Sequence, residues 1–428
     1  MDNQTKPRTA QHIAILLPSL AGGGAERSML HLVQAFHEQG RSVDLLVFRH
    51  EGAYLNQVPS AAGVTVLEAA SSLRGRLSAL KADPGGVAAL LRPVLLPMKA
   101  DANIRHIESL ADYLKDRQPD ILLSALTYTN LAALWAKRLA GVATSVIVSE
   151  RIALSTHIGS DGRSRHWRWR FLLPVVSRVY RMADGILAVS DSVANDLAEN
   201  TRISRESIKT IYNPVVDAKL SELAGEALDH PWFGRGQPPV ILGAGRLIPQ
   251  KDFATLLRAF AMLHSKRDAR LIILGEGKLR PSLEALANEL GVADAVKLPG
   301  FIENPYNYMA NSSVFALTSC YEGLPGVLIQ ALACGCPAVS TDCPGGSAEI
   351  LENGRYGRLV PVGDVDQLAD ALEATLNNPP DRDVLKTRAS EFSVDKAAVK
   401  YLEYLDNIVV RGSEYSSECQ SSVSPHSD

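Results

Sequence analysis

An arginine, a lysine and a glutamate, each placed just after an apolar run, are the residues of this chain best suited to chemistry. Gly245-Arg246 follows one such run directly, and Lys251 comes five residues later at the entry of a helix. A guanidinium fork and an ammonium aimed at one point suit a diphosphate, because the fork clamps oxygens while the ammonium neutralises charge. Taken alone, two such cations near a helix start are more often simply solvated. Glu322 stands between the run 314–317 and a helix beginning near Pro325, where proline fits the first turn. Its carboxylate can accept hydrogen bonds from sugar hydroxyls. The backbone N–H groups of Gly326, Val327 and Leu328 would face an anion there. Residue 330, a glutamine two turns along, would reach a second polyol.

Other motifs carry less. Gly22-Gly23-Gly24 follows a strand and opens a helix, so its amides could approach an anion, although a tight turn explains it equally well. Gly275-Glu276-Gly277 and Gly243-Ala244-Gly245 both fail the dinucleotide fingerprint, with Arg280 and Ile248 where a third glycine is needed, which argues against a nicotinamide dehydrogenase. Asp364-x-Asp366 and Asp381-x-Asp383 mimic a metal-binding triplet but stand at helix starts, where Asp caps. Arg151, ending the run Ser149-Glu150-Arg151, could meet an acceptor phosphate. His157 is a further acceptor candidate, although a lone loop histidine is more often just exposed.

The elements that must position these residues alternate along the chain. His12–Leu17, Ser42–Phe48, Ile121–Ser124, Ser145–Ser149 and Gly185–Val189 read as strands of one parallel sheet. Pro239–Ala244, Arg270–Leu274, Ala295–Leu298, Val314–Leu317 and Ala338–Ser340 read as strands of a second. Helices are expected at 25–39, 253–263, 279–290, 327–333 and 365–376. Two doubly wound sheets in series imply a cleft at the carboxyl ends of their strands. The expected division is 1–213, 214–392, a helix within 393–411 packing back toward the N-terminal domain, and a disordered Ser-rich tail at 412–428.

With 428 residues, 46% hydrophobic and 21% charged, the chain has material for two real cores and is neither collagenous nor wholly disordered. The five cysteines form no C-x-x-C pair and no zinc spacing, which fits reduced thiols in the cytoplasm. No run reads as transmembrane, and Ile13–Ala21 reads as a buried first strand rather than a leader, because Pro18 interrupts it and Gly22-Gly23-Gly24 leads on into an amphipathic helix. Net charge is −3, but residues 1–213 carry +6 and the remainder −9.

The basic half holds six arginines between Arg163 and Arg181 with no acid among them, interleaved with Trp167, Trp169 and Phe171. Arg165, Trp167, Arg168, Trp169 and Arg170 together suit an anionic bilayer surface, where each cation contributes about 1 kcal/mol. A surface helix with inward Trp and solvated Arg is the bland alternative. A second stretch, Leu73–Met98, mixes Arg74, Arg76, Lys81 and Arg92 with leucines, as a lipid-contacting hairpin would. Nucleic acid is discounted for lack of any recognised module.

The order of motifs resembles glycosyltransferase family 4. AGGGAER near the start, GRLIPQKDFATLLRAF at 245–260, LGEG at 274–277, LPGF at 298–301, YEGLPGVLIQALACGCPAV at 321–339, and TDCPGGSAEIL with NGRYGRLVPVGD at 341–364 carry it. The resemblance implies an α/β GT-B fold of two facing Rossmann-like domains and a retaining, metal-independent enzyme that needs no cofactor beyond its nucleotide-sugar co-substrate. It implies an acceptor-binding first domain, 1–213, and a nucleotide-sugar-binding second domain, 214–392, with Arg246 and Lys251 on the diphosphate, Glu322 on the transferred sugar, Gly300 and Phe301 near the base, and Gly23 and Gly24 closing on the phosphates. Gln330 departs from the family's E-x7-E pair at its second acid. As a ribose partner it still offers an acceptor and donors, but a charge-assisted bond worth ~1–2 kcal/mol is lost. The expected reaction moves a hexose or N-acetylhexosamine from a UDP-sugar to a lipid-linked glycan or envelope polysaccharide at the inner face of the cytoplasmic membrane. The alternatives are a catalytically silent GT-B scaffold, motivated by Gln330, and a GT-B epimerase.

Overall fold

The computed structural model describes residues 9–59, 62–95, 102–158 and 169–421. Its apolar runs form two sheets. The first contains β1 (His12–Leu17), β2 (Ser42–Val47), β3 (Val64–Val66), β4 (Ile121–Ala125), β5 (Ser145–Glu150), β6 (Gly185–Ala188) and β7 (Ile208–Thr210), in the order β3-β2-β1-β4-β5-β6-β7. The second contains β8 (Val240–Ala244), β9 (Arg270–Leu274), β10 (Val296–Gly300), β11 (Val314–Leu317), β12 (Ala338–Thr341) and β13 (Arg358–Val360), in the order β10-β9-β8-β11-β12-β13. Every pairing is parallel. Helices cover both faces of such sheets, so inner strands such as β4 and β8 are buried along their whole length and read as continuous apolar runs.

The three strands that the sequence pattern missed, β3, β7 and β13, are three-residue edge strands with polar residues in them. Three residues are too few to show a period. The uncharged run 121–136 is β4 followed by most of the helix Thr127–Ala140, with the chain turning at Leu126, whose φ is 79°.

Each sheet reverses its strand order once, between β1 and β4 in the first and between β8 and β11 in the second. Ligands of doubly wound sheets bind outside the carboxyl ends at that reversal. In the second sheet the helix Phe253–Lys266 prepares the place. It buries Phe253, Leu256, Leu257, Phe260 and Leu263, worth about 1.5–3 kcal/mol each, and this fixes the loop that precedes it. Asp252 caps its start, accepting from the Thr255 hydroxyl at 2.7 Å.

The chain divides into two compact units, 1–189 with 193–212 and 395–428, and 190–192 with 213–394. The last helix, Val394–Ser421, belongs to the first unit from Asp395 onward. There Asp406 accepts from the Ala10 N–H at 2.8 Å and from Arg41 at 2.9 Å. The expected end of order at Gly412 is corrected, because the helix runs on through Ser421. A single glycine costs a helix only about 1 kcal/mol, and no proline intervenes before Pro425. Residues 422–428 lie outside the described ones.

Candidate active site

The reversal point of the second sheet brings Lys251 and Glu322 together. Lys251 Nζ lies 2.5 Å from Glu322 Oε1, with the two side chains 15% and 10% exposed. Ser319 donates its hydroxyl to the same Oε1 at 2.6 Å. The loop after β8 and the loop after β11 are knitted by one backbone bond and by two side chains, the Gln250 carboxamide and the Thr318 hydroxyl. Cys320 N–H donates to the Gln250 carbonyl at 2.8 Å, the Gln250 amide to the Tyr321 carbonyl at 2.9 Å, and the Thr318 hydroxyl to the Lys251 carbonyl at 2.8 Å. Arg246 stands exposed at the end of β8, and no acid pairs with it among the described residues. One carboxylate and two cations therefore share the carboxyl ends of adjacent strands.

Glycines around this point serve packing as much as ligand access. Gly275 has φ 128°, and a Cβ there would stand 2.0 Å from the Gly245 carbonyl oxygen. A Cβ on Gly277 would meet the Leu247 backbone at 2.4 Å. The two glycines of the failed fingerprint thus let the loop carrying Arg246 lie directly on the end of β9. The stem of Lys251 runs over Gly245, where a Cβ would be 3.2 Å from Lys251 Cε. Gly345, with φ 131°, supports the other side, because a Cβ there would be 2.4 Å from the Glu322 carbonyl oxygen. The Glu322 N–H donates to the Pro344 carbonyl at 2.9 Å.

The helix Gly326–Ala333 follows Glu322 with no side-chain cap. The expectation of three free amides is corrected at Leu328, whose N–H is turned inward to the Pro325 carbonyl at 3.0 Å. Gly326 and Val327 remain half-exposed at the helix start. Gln330 is half-buried with its amide nitrogen 3.5 Å from the Tyr306 hydroxyl. Gly300 ends β10 and Phe301 projects from it, 76% exposed. Ser319 was missed by sequence reasoning. A serine three residues before an acid gives no pattern of its own, and only the bend after β11 turns it onto the carboxylate.

The remaining candidates lie in the first unit. Gly23 caps the helix Gly24–Glu38, and the Glu26 carboxylate folds back over it, only 2.4 Å from where a Gly23 Cβ would stand. Gly24 has open space on its side-chain side. Arg151 is buried after β5, with Nη2 3.4 Å from Met29 Sδ. His157 falls in the short helix Ser155–Ile158. Arg165, Trp167 and Arg168 lie outside the described residues, while Trp169 and Arg170 open the helix Trp169–Val179. That helix turns Leu172, Val175, Val176 and Val179 inward. Arg178, in the arginine run, is committed to structure, because its guanidinium grips the buried Asp83 through bonds of 2.7 and 2.8 Å. Asp364 and Asp381 each cap a helix, Asp364 accepting from the Gln367 N–H and Asp381 from Asp383 and Val384.

Known proteins are similar to this chain in sequence and fold. Residues 22–219 match the sequence profile of Glycosyltransferase Family 4, and residues 229–392 match that of Glycosyl transferases group 1. The chain belongs to glycosyltransferase family 4. One family relative is the N-acetylgalactosamine-N,N'-diacetylbacillosaminyl-diphospho-undecaprenol 4-alpha-N-acetylgalactosaminyltransferase of Campylobacter jejuni, 37% identical over 235 residues. That match covers 54% of this chain and 62% of the relative, under two thirds of its length. Another C. jejuni protein, the GalNAc-alpha-(1->4)-GalNAc-alpha-(1->3)-diNAcBac-PP-undecaprenol alpha-1,4-N-acetyl-D-galactosaminyltransferase, is 26% identical over 402 residues, covering 92% of this chain and 98% of that one. For the fold, Anabaena HepE, solved in complex with UDP and glucose, superposes with a TM-score of 0.69 at 19% identity over 92% of this chain and 99% of that one. The family fold is GT-B, and both sheets here have its Rossmann-like order.

Proposed function

We propose that this family 4 member transfers a hexose or N-acetylhexosamine from a nucleotide-diphosphate sugar, a UDP-sugar foremost, onto a lipid-linked glycan or envelope polysaccharide, with retention of anomeric configuration. The Lys251–Glu322 pair beside the unpaired Arg246 carries the reading. Arg246 and Lys251 take the diphosphate and neutralise its growing charge as the C1–O bond breaks, a role that a metal ion would otherwise fill. Glu322, relieved of Lys251, accepts hydrogen bonds from the sugar. The acceptor hydroxyl attacks C1 from the face the diphosphate leaves, and its proton passes to a departing phosphate oxygen. Phe301 offers an exposed ring to the base and Gln330 an amide to the ribose. The two Campylobacter relatives are named for undecaprenol-diphosphate acceptors, which supports a lipid-linked acceptor here.

Titration with UDP, GDP and ADP by calorimetry tests the donor half. Binding of UDP alone, weakened ~10–100-fold in Arg246→Ala, is expected. Equal binding in that variant removes the diphosphate assignment.

Contact with an anionic membrane is part of the same proposal. No helix among the described residues is long and apolar enough to cross a bilayer. Leu73 and Leu77, four apart on the helix Ser72–Ala82, are 67% and 47% exposed, and Val87 and Leu91 repeat the spacing nearby. Arg74, Lys81 and Arg181 are exposed in the same unit. Apolar side chains among cations favour an acidic lipid surface. Sedimentation with phosphatidylglycerol vesicles, lost in high salt and absent with phosphatidylcholine, is the expected result. Equal sedimentation with both lipids overturns the electrostatic part.

A further inference from the structure

A second acid ends a strand of this molecule and plays no part in the chemistry above. Glu150, the last residue of β5, is 1% exposed. The Thr127 hydroxyl donates to its Oε2 at 3.0 Å, and the Tyr180 hydroxyl donates to its Oε1. Asn130 Nδ2 lies 3.5 Å from the same Oε1, 2.9 Å from the Tyr180 oxygen and 3.1 Å from the Ser149 carbonyl. One carboxyl group therefore joins the helix after β4, the end of β5, and the residue that follows the helix Trp169–Val179.

The chain leaving this knot carries the two acceptor candidates. Arg151 comes first and His157 six residues on. Between them the Ser155 N–H bonds both oxygens of Asp196 at 3.2 and 3.3 Å. The segment is thus anchored at its root by Glu150 and at its midpoint by Asp196.

We propose that Glu150 is a positioning residue: it fixes the segment bearing Arg151 and His157 for the acceptor, and uptake of a proton by its carboxyl group loosens that hold. The inference rests on the reading of the first unit as the acceptor side. Bonds donated to a carboxylate are roughly twice as strong as those donated to a neutral acid, so protonation weakens the ties from Tyr180 and Thr127 together. The groups facing Glu150 are Thr127 and Asn130 from the helix Thr127–Ala140, Tyr180, Asp196 from the helix Asp191–Thr201, and Arg151 beside it in sequence. Asn130 Oδ1 is buried and accepts no hydrogen bond. Burial pushes the Glu150 carboxyl up to about 7 even though its three donors pull it down, and Asp196 adds a small push in the same upward direction. Burial and the neighbouring Glu150 raise the Tyr180 phenol well above its usual value, which keeps it a donor.

The sign of the stability effect follows. A folded carboxyl raised above its unfolded value binds a proton that the unfolded chain has released, so its contribution is present at low pH and fades as pH rises through about 7. The test compares the full chain, Glu150→Gln and Tyr180→Phe between about pH 5.5 and 8.5, measuring Tm, UDP affinity, and transfer onto a short polyprenyl-diphosphate-linked N-acetylhexosamine disaccharide. The Tm of the native chain should fall relative to Glu150→Gln as pH rises, and its acceptor KM should be ~3-fold or more higher at the acid end with kcat little changed. Glu150→Gln should hold the weaker KM at every pH, and UDP affinity should be unmoved in both variants. Tyr180→Phe, which removes a bond favouring the charged form, should move the KM midpoint to higher pH. That shift serves alone if Glu150→Gln does not fold, and an unmoved midpoint overturns the proposal. Parallel Tm curves overturn it too, as does a KM profile that persists in Glu150→Gln. Intact UDP binding with no transfer at all removes the acceptor reading and with it the positioning role, while diverging Tm curves would still report the titration itself.

Discussion

Each of the two sheets has a buried glutamate at its carboxyl edge, and the two acids are held in contrasting ways. Glu322, in the second unit, is buried and is met by the Lys251 ammonium and the Ser319 hydroxyl. Glu150, in the first, is closed off from solvent and its hydrogen-bond partners are Thr127, Tyr180 and Asn130, all neutral. The sheets share the same strand order on either side of the reversal, so topology does not make the difference. The difference lies in what the neighbouring elements supply. After β8 the chain delivers a cation to the neighbouring strand's acid. Around Glu150 the helix after β4 supplies the Thr127 hydroxyl and the Asn130 amide, Tyr180 adds a second hydroxyl, and burial then sets the charge. The lesson is that a doubly wound edge offers a place, and the partner of the acid decides whether that place carries a ready-made charge pair or a proton-sensitive joint.

The strongest way to break the comparison is to remove the cation. Lys251→Ala leaves Glu322 without its ammonium partner and strips one of two charges from the diphosphate. Transfer should fall by ~10²–10³-fold in a steady-state assay. A loss under about tenfold would mean that the pair is structural only, which would make the two edges alike. Next in size is Gly275→Ala. Its backbone conformation and the nearby Gly245 oxygen leave a methyl group no room, so about 1–3 kcal/mol of strain should lower the Tm of the chain by several degrees. An unchanged Tm would show that the glycine serves the ligand rather than the packing of the loop. The smallest effect belongs to Gln330→Glu. Restoring a carboxylate near Tyr306 should tighten nucleotide-sugar binding by ~3–10-fold, read as a lower donor KM with kcat little altered. No change would place the ribose elsewhere.

Much of the candidate site was legible in the linear order. Arg246, Lys251 and Glu322 stand just past apolar runs that became β8 and β11, because strands buried on both faces must be apolar and functional residues must emerge at their ends. The same logic failed for β3, β7 and β13, which lie at edges and lack enough residues to show a period. It failed for Leu328 as well, where the sequence indicated a helix start but not which amide the first turn would consume. The arginine run looked uniformly available for a membrane until Asp83, 95 residues earlier, took Arg178.

By itself, then, the sequence determined the α/β class, the two-unit division near residue 213, the family, and which side chains could bear charge at strand ends. The family follows from the resemblance of the motifs and their order, and the rest from periodicity and local chemistry, which act over a few residues. Only the tertiary structure decided that Lys251 meets Glu322 across 71 positions, that Gly275 and Gly277 serve backbone packing, and that Glu150 is shut away from water. Contacts of that kind depend on which strands become neighbours and on how the loops close over their ends. Desolvation likewise has no value until the whole fold has excluded the solvent.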